Sequence, residues 1–215
     1  FDYPSKFQAE ALSMILTPPF KSFIGQSQFG TGKTLTLVLA MLARVDNNVK
    51  HLQCVCLVGT TVLANQIYTD YFAKFHEYYR VRIQCLFKNP PVKFNVNTEG
   101  SAQIVISTPQ YFDNYIDEFD LSTVKVFAID DADESLENPI FIPVFDMIFS
   151  KFCFLFDILG LQIQTPFYFI TRLLSSDTAR SINSSAVIEP RSPFSPRSLT
   201  ESVPFSTSLS PIISI

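Results

Sequence analysis

The 215-residue sequence predicts an α/β fold: an open, mainly parallel sheet flanked by helices, followed by a disordered C-terminal tail. Three observations carry that prediction. Short apolar runs at 53–58, 81–87, 103–106 and 124–129 alternate with longer stretches of helical character as far as about residue 130. The run at 53–58 is apolar almost throughout, as a strand buried on both faces of a parallel sheet would be. A glycine-rich segment, Ser27-Gln28-Phe29-Gly30-Thr31-Gly32-Lys33-Thr34, lies between a short strand-like stretch and an apolar helical one.

In chain order, Pro4 precedes Ser5-Lys6-Phe7-Gln8-Ala9-Glu10-Ala11-Leu12, where apolar residues fall at helical spacing, so a helix is expected to 16 with proline at its start. Pro18-Pro19 stops it. A strand is expected at 21–25 and a buried helix at 34–44. After the strand at 53–58, the spacing of Leu63, Ile67, Tyr71 and Phe75 predicts one helix over 61–79. A third strand at 81–87 leads into a loop at 88–101 that contains Pro90-Pro91 and several Asn. A strand at 103–106, a helix at 109–119 and a strand at 124–129 follow.

The Phe-rich region 140–174 is interrupted by Asp146, Lys151 and Asp157, so its charge-free runs fall short of the roughly 18 residues that suggest a membrane span. No membrane partner is expected. Residues 175–215 are about one-third serine with scattered proline, a composition too poor in periodic apolar residues to offset chain ordering. The expected division is therefore a folded lobe at 1–174 and a Ser/Pro-rich tail at 175–215. The chain starts at Phe1, within a motif described below, which reads as a fragment.

Composition removes some function classes. A 47% hydrophobic content allows a sizeable core, and a net charge of −4 provides no global basic field, so any RNA contact must be local. Cys54, Cys56, Cys85 and Cys153 form no C-x-x-C pair and have no His at metal spacing, so they read as ordinary thiols of a reducing compartment.

The glycine-rich segment carries the chemistry. A strand, a tight turn and a helix in that order collect backbone N–H groups and a positive helix end around one concavity, where phosphate oxygens bind. Gly30 and Gly32 allow close backbone approach, Lys33 reaches the β- and γ-phosphates, and the Thr34 hydroxyl sits on Mg²⁺. Ser27 stands where the pattern usually starts with glycine or alanine. Ligands of open parallel sheets bind beyond the carboxyl ends of the strands. Gly30 to Thr34, Gly59-Thr60, Ser107-Thr108 and Asp130-Asp131 all fall at such ends, which predicts one composite site.

Several segments together resemble the first RecA-like lobe of the DEAD-box RNA helicases. Phe1-Asp2-Tyr3-Pro4-Ser5-Lys6-Phe7-Gln8 is similar to their Q motif, Gly25-Gln26-Ser27 through Thr34 to motif I, and Val126 through Asp133 to motif II. The resemblance covers about residues 1–156 and looks most like the subgroup that remodels mRNA–protein complexes at the nuclear pore. It implies a RecA-like P-loop NTPase that uses ATP and Mg²⁺ and binds RNA in the nucleus or cytoplasm, with a second RecA-like lobe or a regulatory protein as partner. Ser27, Gly30, Thr31, Gly32, Lys33 and Thr34 would then hold the triphosphate, Gln8 would read adenine, and Thr34 and Asp130 would hold Mg²⁺. Asp131 takes the place of the family's glutamate, which orients and deprotonates the attacking water; one methylene shorter, it implies slow hydrolysis with binding intact. Thr60 and Thr108 match the family's RNA-facing threonines, whereas Val62 and Gln110 replace an acidic residue and a glycine. As isolated threonines, both also read as helix caps.

Motif III, a Ser-Ala-Thr after a buried strand, is missing where expected; Phe152-Cys153-Phe154-Leu155-Phe156 is the candidate for that strand. Three readings stay open: a helicase ATP-binding lobe, a catalytically degenerate nucleotide- or partner-binding module, and a damaged reading frame beyond about residue 156.

Overall fold

A computed structural model describes residues 3–18, 22–86, 102–159, 167–171 and 212–214. The expected loop at 88–101 and most of the expected tail lie outside these residues.

The helix α1 (Lys6–Leu16) starts at Ser5, whose hydroxyl accepts the Gln8 N–H while the Gln8 side chain accepts the Ser5 N–H, a capping box. Strand β1 (Phe23–Gln26) leads through the glycine-rich turn to α2 (Lys33–Arg44). Strand β2 (Cys54–Leu57) is followed by one continuous helical stretch over 61–79: α3 (Thr61–Ile67), a π-helical turn (Tyr68–Phe72) and α4 (Ala73–Tyr79). Then come β3 (Ile83–Leu86), β4 (Ile104–Ser107), α5 (Pro109–Tyr115), β5 (Val126–Ile129), the short α6 (Ala132–Glu137) and α7 (Ile142–Leu159). Strands β6 (Phe167–Thr171) and β7 (Ile212–Ser214) complete the sheet.

Among the described residues seven strands lie in the order β3-β4-β2-β5-β6-β1-β7, and every neighbouring pair is parallel. Parallel pairing demands a crossover between strands, and where the described residues carry one, helices provide it, one apolar layer on each face. One layer holds Phe7, Leu37, Met41, Cys54, Cys56, Phe72 and Ala128. The other holds Val55, Leu57, Val105, Phe112, Phe127 and Phe145. Burial of both faces explains why β2, β4 and β5 have no exposed position. The buried thiols fit this core: desolvation pushes Cys54 up to about 12 and Cys56 well above the usual thiol value.

One expectation needs correction. The strand expected at 152–156 is helical, because this segment continues α7, an 18-residue helix with apolar residues around much of its circumference. The strand beside β5 comes later, at Phe167–Thr171, and inserts between β5 and β1. Within the span of the expected tail, the described residues Ile212–Ser214 pair with the outer side of β1. Among the described residues no helix is long and apolar enough to cross a membrane.

Candidate nucleotide-binding site

The turn between β1 and α2 closes because both glycines adopt left-handed backbone, Gly30 at φ 82° and Gly32 at φ 83°. Nothing lies within 4 Å of the position a Cβ would take on Gly30, so the crest of the turn stays open to a ligand. The side chains of Ser27, Thr31 and Lys33 bond back onto the turn. The Ser27 and Thr31 hydroxyls pair at 2.5 Å, and Thr31 Oγ1 also donates to the Gln28 carbonyl at 2.9 Å. Lys33 is buried, and its ammonium donates to the Ser27 and Gln28 carbonyls at 3.1 and 2.9 Å. A cation held against main-chain oxygens at the mouth of a helix is poised for phosphate oxygens of the same geometry.

The amino end of α1 is moored to this turn. Ser5 Oγ donates to the Thr31 carbonyl at 2.7 Å and Gln8 Nε2 donates to the Gly32 carbonyl at 3.3 Å. Ser5 carries a role the sequence left unassigned, although Ser-x-x-Gln at 5–8 is the signature of the capping box that places it. Gln8 uses one amide hydrogen on Gly32 and one lone pair of Oε1 on the Ser5 N–H at 3.0 Å. One donor and one acceptor remain, the complement of adenine's amino and ring-nitrogen edge; guanine would present two acceptors there.

One member of the acidic pair, Asp130, is bonded to the turn. Asp130 follows β5, is buried, and accepts the Thr34 hydroxyl at 2.6 Å across 96 residues of sequence. Burial pushes its carboxyl up to about 6, with the Asp131 carboxylate adding to the rise; the Thr34 hydroxyl, the Asp131 N–H and the Lys33 ammonium oppose it. Asp131 takes left-handed backbone, φ 48° and ψ 51°, which aspartate tolerates better than most residues. Its N–H donates to Asp130 Oδ1 at 3.1 Å, so this turn returns upon the preceding carboxylate.

Thr60 and Thr108 follow the adjacent strands β2 and β4 at the same sheet edge. Thr60 is exposed and caps α3 by accepting the Leu63 N–H at 3.2 Å. Thr108 is buried, precedes Pro109 at the start of α5, and makes no side-chain capping bond. Val62 projects outward, 74% exposed.

Comparison with known proteins agrees with this layout. The DEAD/DEAH box helicase family model matches residues 5–166. The chain is 37% identical over 139 residues to the ATP-dependent RNA helicase DBP5 of Lodderomyces elongisporus, a match covering 64% of this chain and 26% of that protein. It resembles solved structures of S. cerevisiae Dbp5 at 25% identity. One, bound to RNA and ADP BeF3, gives a TM-score of 0.72 over 85% of this chain and 44% of that one. Another, a variant bound to Nup159, a Gle1 variant, IP6 and ADP, gives 0.71 over 85% and 46%. The chain thus spans about a quarter of the curated relative and under half of each solved chain. With the sheet order, the glycine-rich turn and the acidic strand end in place, the chain belongs to the DEAD/DEAH box helicase family.

Proposed function

We propose that this chain is the ATP-binding lobe of an ATP-dependent RNA helicase that acts on RNA or RNA–protein complexes, as the mRNA-export members do. The observation that carries the reading is the 2.6 Å hydrogen bond from Thr34 to Asp130, which joins the phosphate-binding turn to the acidic strand end. Ser27, Gly30, Thr31, Gly32 and Lys33 cradle the triphosphate, and Gln8 selects adenine. Thr34 and Asp130 would hold Mg²⁺. The fit is chemical: both donors are oxygen, and a buried carboxylate raised to about 6 gains from a cation that offsets its charge. When bound, Mg²⁺ neutralises charge on the β- and γ-phosphates.

Asp131 would orient and deprotonate the attacking water. Its carboxylate is about a bond length short of a glutamate's, and a misplacement of about 1 Å can cost on the order of 10²-fold in rate. Thr60 and Thr108 would hold RNA phosphates, contacts that fix position without reading bases. Binding at Thr60 requires its hydroxyl to donate while it accepts from Leu63, which one hydroxyl can do. A second RecA-like lobe, and regulators such as those bound to Dbp5, are the proposed partners, and the nuclear pore and adjoining cytoplasm the proposed place. Residues 1–174 form the proposed lobe and 175–215 the tail.

Calorimetric titration of the chain with Mg–ATP tests the reading. Wild type binds, and Lys33→Ala loses at least tenfold in affinity; absence of binding heat from wild type would overturn it. The exposed Val62 and the short Asp131 favour a second reading, a module that keeps nucleotide without turning it over. Asp131→Glu separates the two in an RNA-stimulated ATPase assay with the second lobe joined. A gain on the order of 10²-fold marks a slowed helicase, and no gain marks a non-catalytic module.

A further inference from the structure

We propose that Ser135 is a positioning residue that couples the nucleotide site to the RNA-facing loop, through a hydrogen bond from its buried hydroxyl to the Gly59 carbonyl. The coupling rests on the reading above, in which Asp131 serves hydrolysis and Thr60 holds RNA.

Ser135 lies on α6 and is 0% exposed, yet its Oγ has no hydrogen-bond partner among the described residues. A hydroxyl cut off from water costs stability unless it is bonded, so a buried orphan of this kind calls for a reason. The Ser135 main chain is committed to the acidic turn, because its N–H donates to the Asp131 carbonyl at 3.1 Å. Its side chain faces the end of a different strand. The position that a Cβ would take on Gly59 lies 3.4 Å from Ser135 Oγ, so the missing side chain leaves main chain opposite the hydroxyl. Gly59 follows β2 and directly precedes Thr60, the cap of α3. One residue thus joins the turn that carries Asp131 to the loop that carries Thr60. Nucleotide fixes the Asp131 turn and with it Ser135, and RNA fixes Thr60 and with it Gly59. Each ligand sets one end of the bond, so the second ligand meets a smaller ordering cost and each tightens the other.

Fluorescence anisotropy of a labelled single-stranded oligouridine, with and without Mg–AMP-PNP, reads the coupling as the factor by which nucleotide tightens RNA. Two variants of the chain break the bond from opposite ends: Ser135→Ala removes the donor, and Gly59→Ala sets a methyl between the hydroxyl and the main chain. Loss of one hydrogen bond should lower the factor by about 2- to 10-fold in either variant. The double variant should lose no more than either single one. Ser135→Ala should bind RNA alone, and Mg–AMP-PNP alone, as wild type does. Its melting temperature without ligands should equal or exceed that of wild type, since the change deletes an unbonded polar group. An unchanged factor in Ser135→Ala, or a factor of one in wild type, overturns the coupling role. So does a lowered melting temperature, which marks an ordinary structural bond. Failure of wild type to bind Mg–AMP-PNP overturns the reading beneath it.

Discussion

Asp130 shows how the site trades stability for chemistry. Its carboxyl rises from 3.8 to about 6, chiefly through burial. A raised carboxyl is favoured protonated in the fold, so its contribution is full below pH 4 and is lost as pH climbs through about 6. The difference corresponds to about 3 kcal/mol. Asp130→Asn should therefore melt at a higher temperature than wild type at pH 7.5, with the gap closing near pH 4; equal melting temperatures at pH 7.5 would contradict the buried-charge account. Gly32 is constrained twice, by its φ of 83° and by the Gln8 amide, which a Cβ at this position would overlap. Gly32→Ala should cost about 1–3 kcal/mol in urea unfolding and weaken ATP binding in the same variant. At this scale the joining of the glycine-rich turn to the acidic strand end was legible, because Thr34 and Asp130 were placed at one sheet edge by residue type and spacing. The mooring of Ser5 to Thr31 and the left-handed turn at Asp131 were not, since both depend on which segments the fold brings together.

Elements were legible where period and punctuation agreed. The spacing of Leu63, Ile67, Tyr71 and Phe75 anticipated the continuous helical stretch over 61–79, but not the π turn at Tyr68–Phe72, which adds a residue without altering the apolar face much. The strand beside β5 was misplaced because Phe152-Cys153-Phe154-Leu155-Phe156 and Phe167–Thr171 are both short, aromatic-rich apolar runs. Such runs do not distinguish strand from buried helix by periodicity alone; only their packing decides. Strand β5 matters most for the proposed site, since it presents Asp130 to the turn. Phe127 within it is wholly buried, with Phe112 and Phe149 at ring-centroid distances of 6.3 and 5.8 Å. Phe127→Ala should lower unfolding stability by about 3–5 kcal/mol, read from the urea midpoint. A loss below about 1 kcal/mol would mean that this layer does not carry the strand.

Across the whole molecule, the site is assembled from pieces far apart in sequence: α1 through Ser5 and Gln8, the turn into α2, and the end of β5. The parallel sheet makes that possible, because every strand delivers its carboxyl end to one edge, and β6 between β1 and β5 sets the span that Thr34 and Asp130 bridge. A ligand that ties these pieces together should stabilise the lobe as a unit rather than the turn alone. At a nucleotide concentration of about 100 Kd, binding linkage contributes about 2.7 kcal/mol. For a chain of this size that is a rise of about 5–10 °C in melting temperature. The rise should be the same by far-ultraviolet circular dichroism and by tyrosine fluorescence, should require Mg²⁺, and should vanish in Lys33→Ala. A shift seen by one probe only would mean that the turn orders locally while the sheet is indifferent to nucleotide, and the composite site would then fail as an account of this lobe.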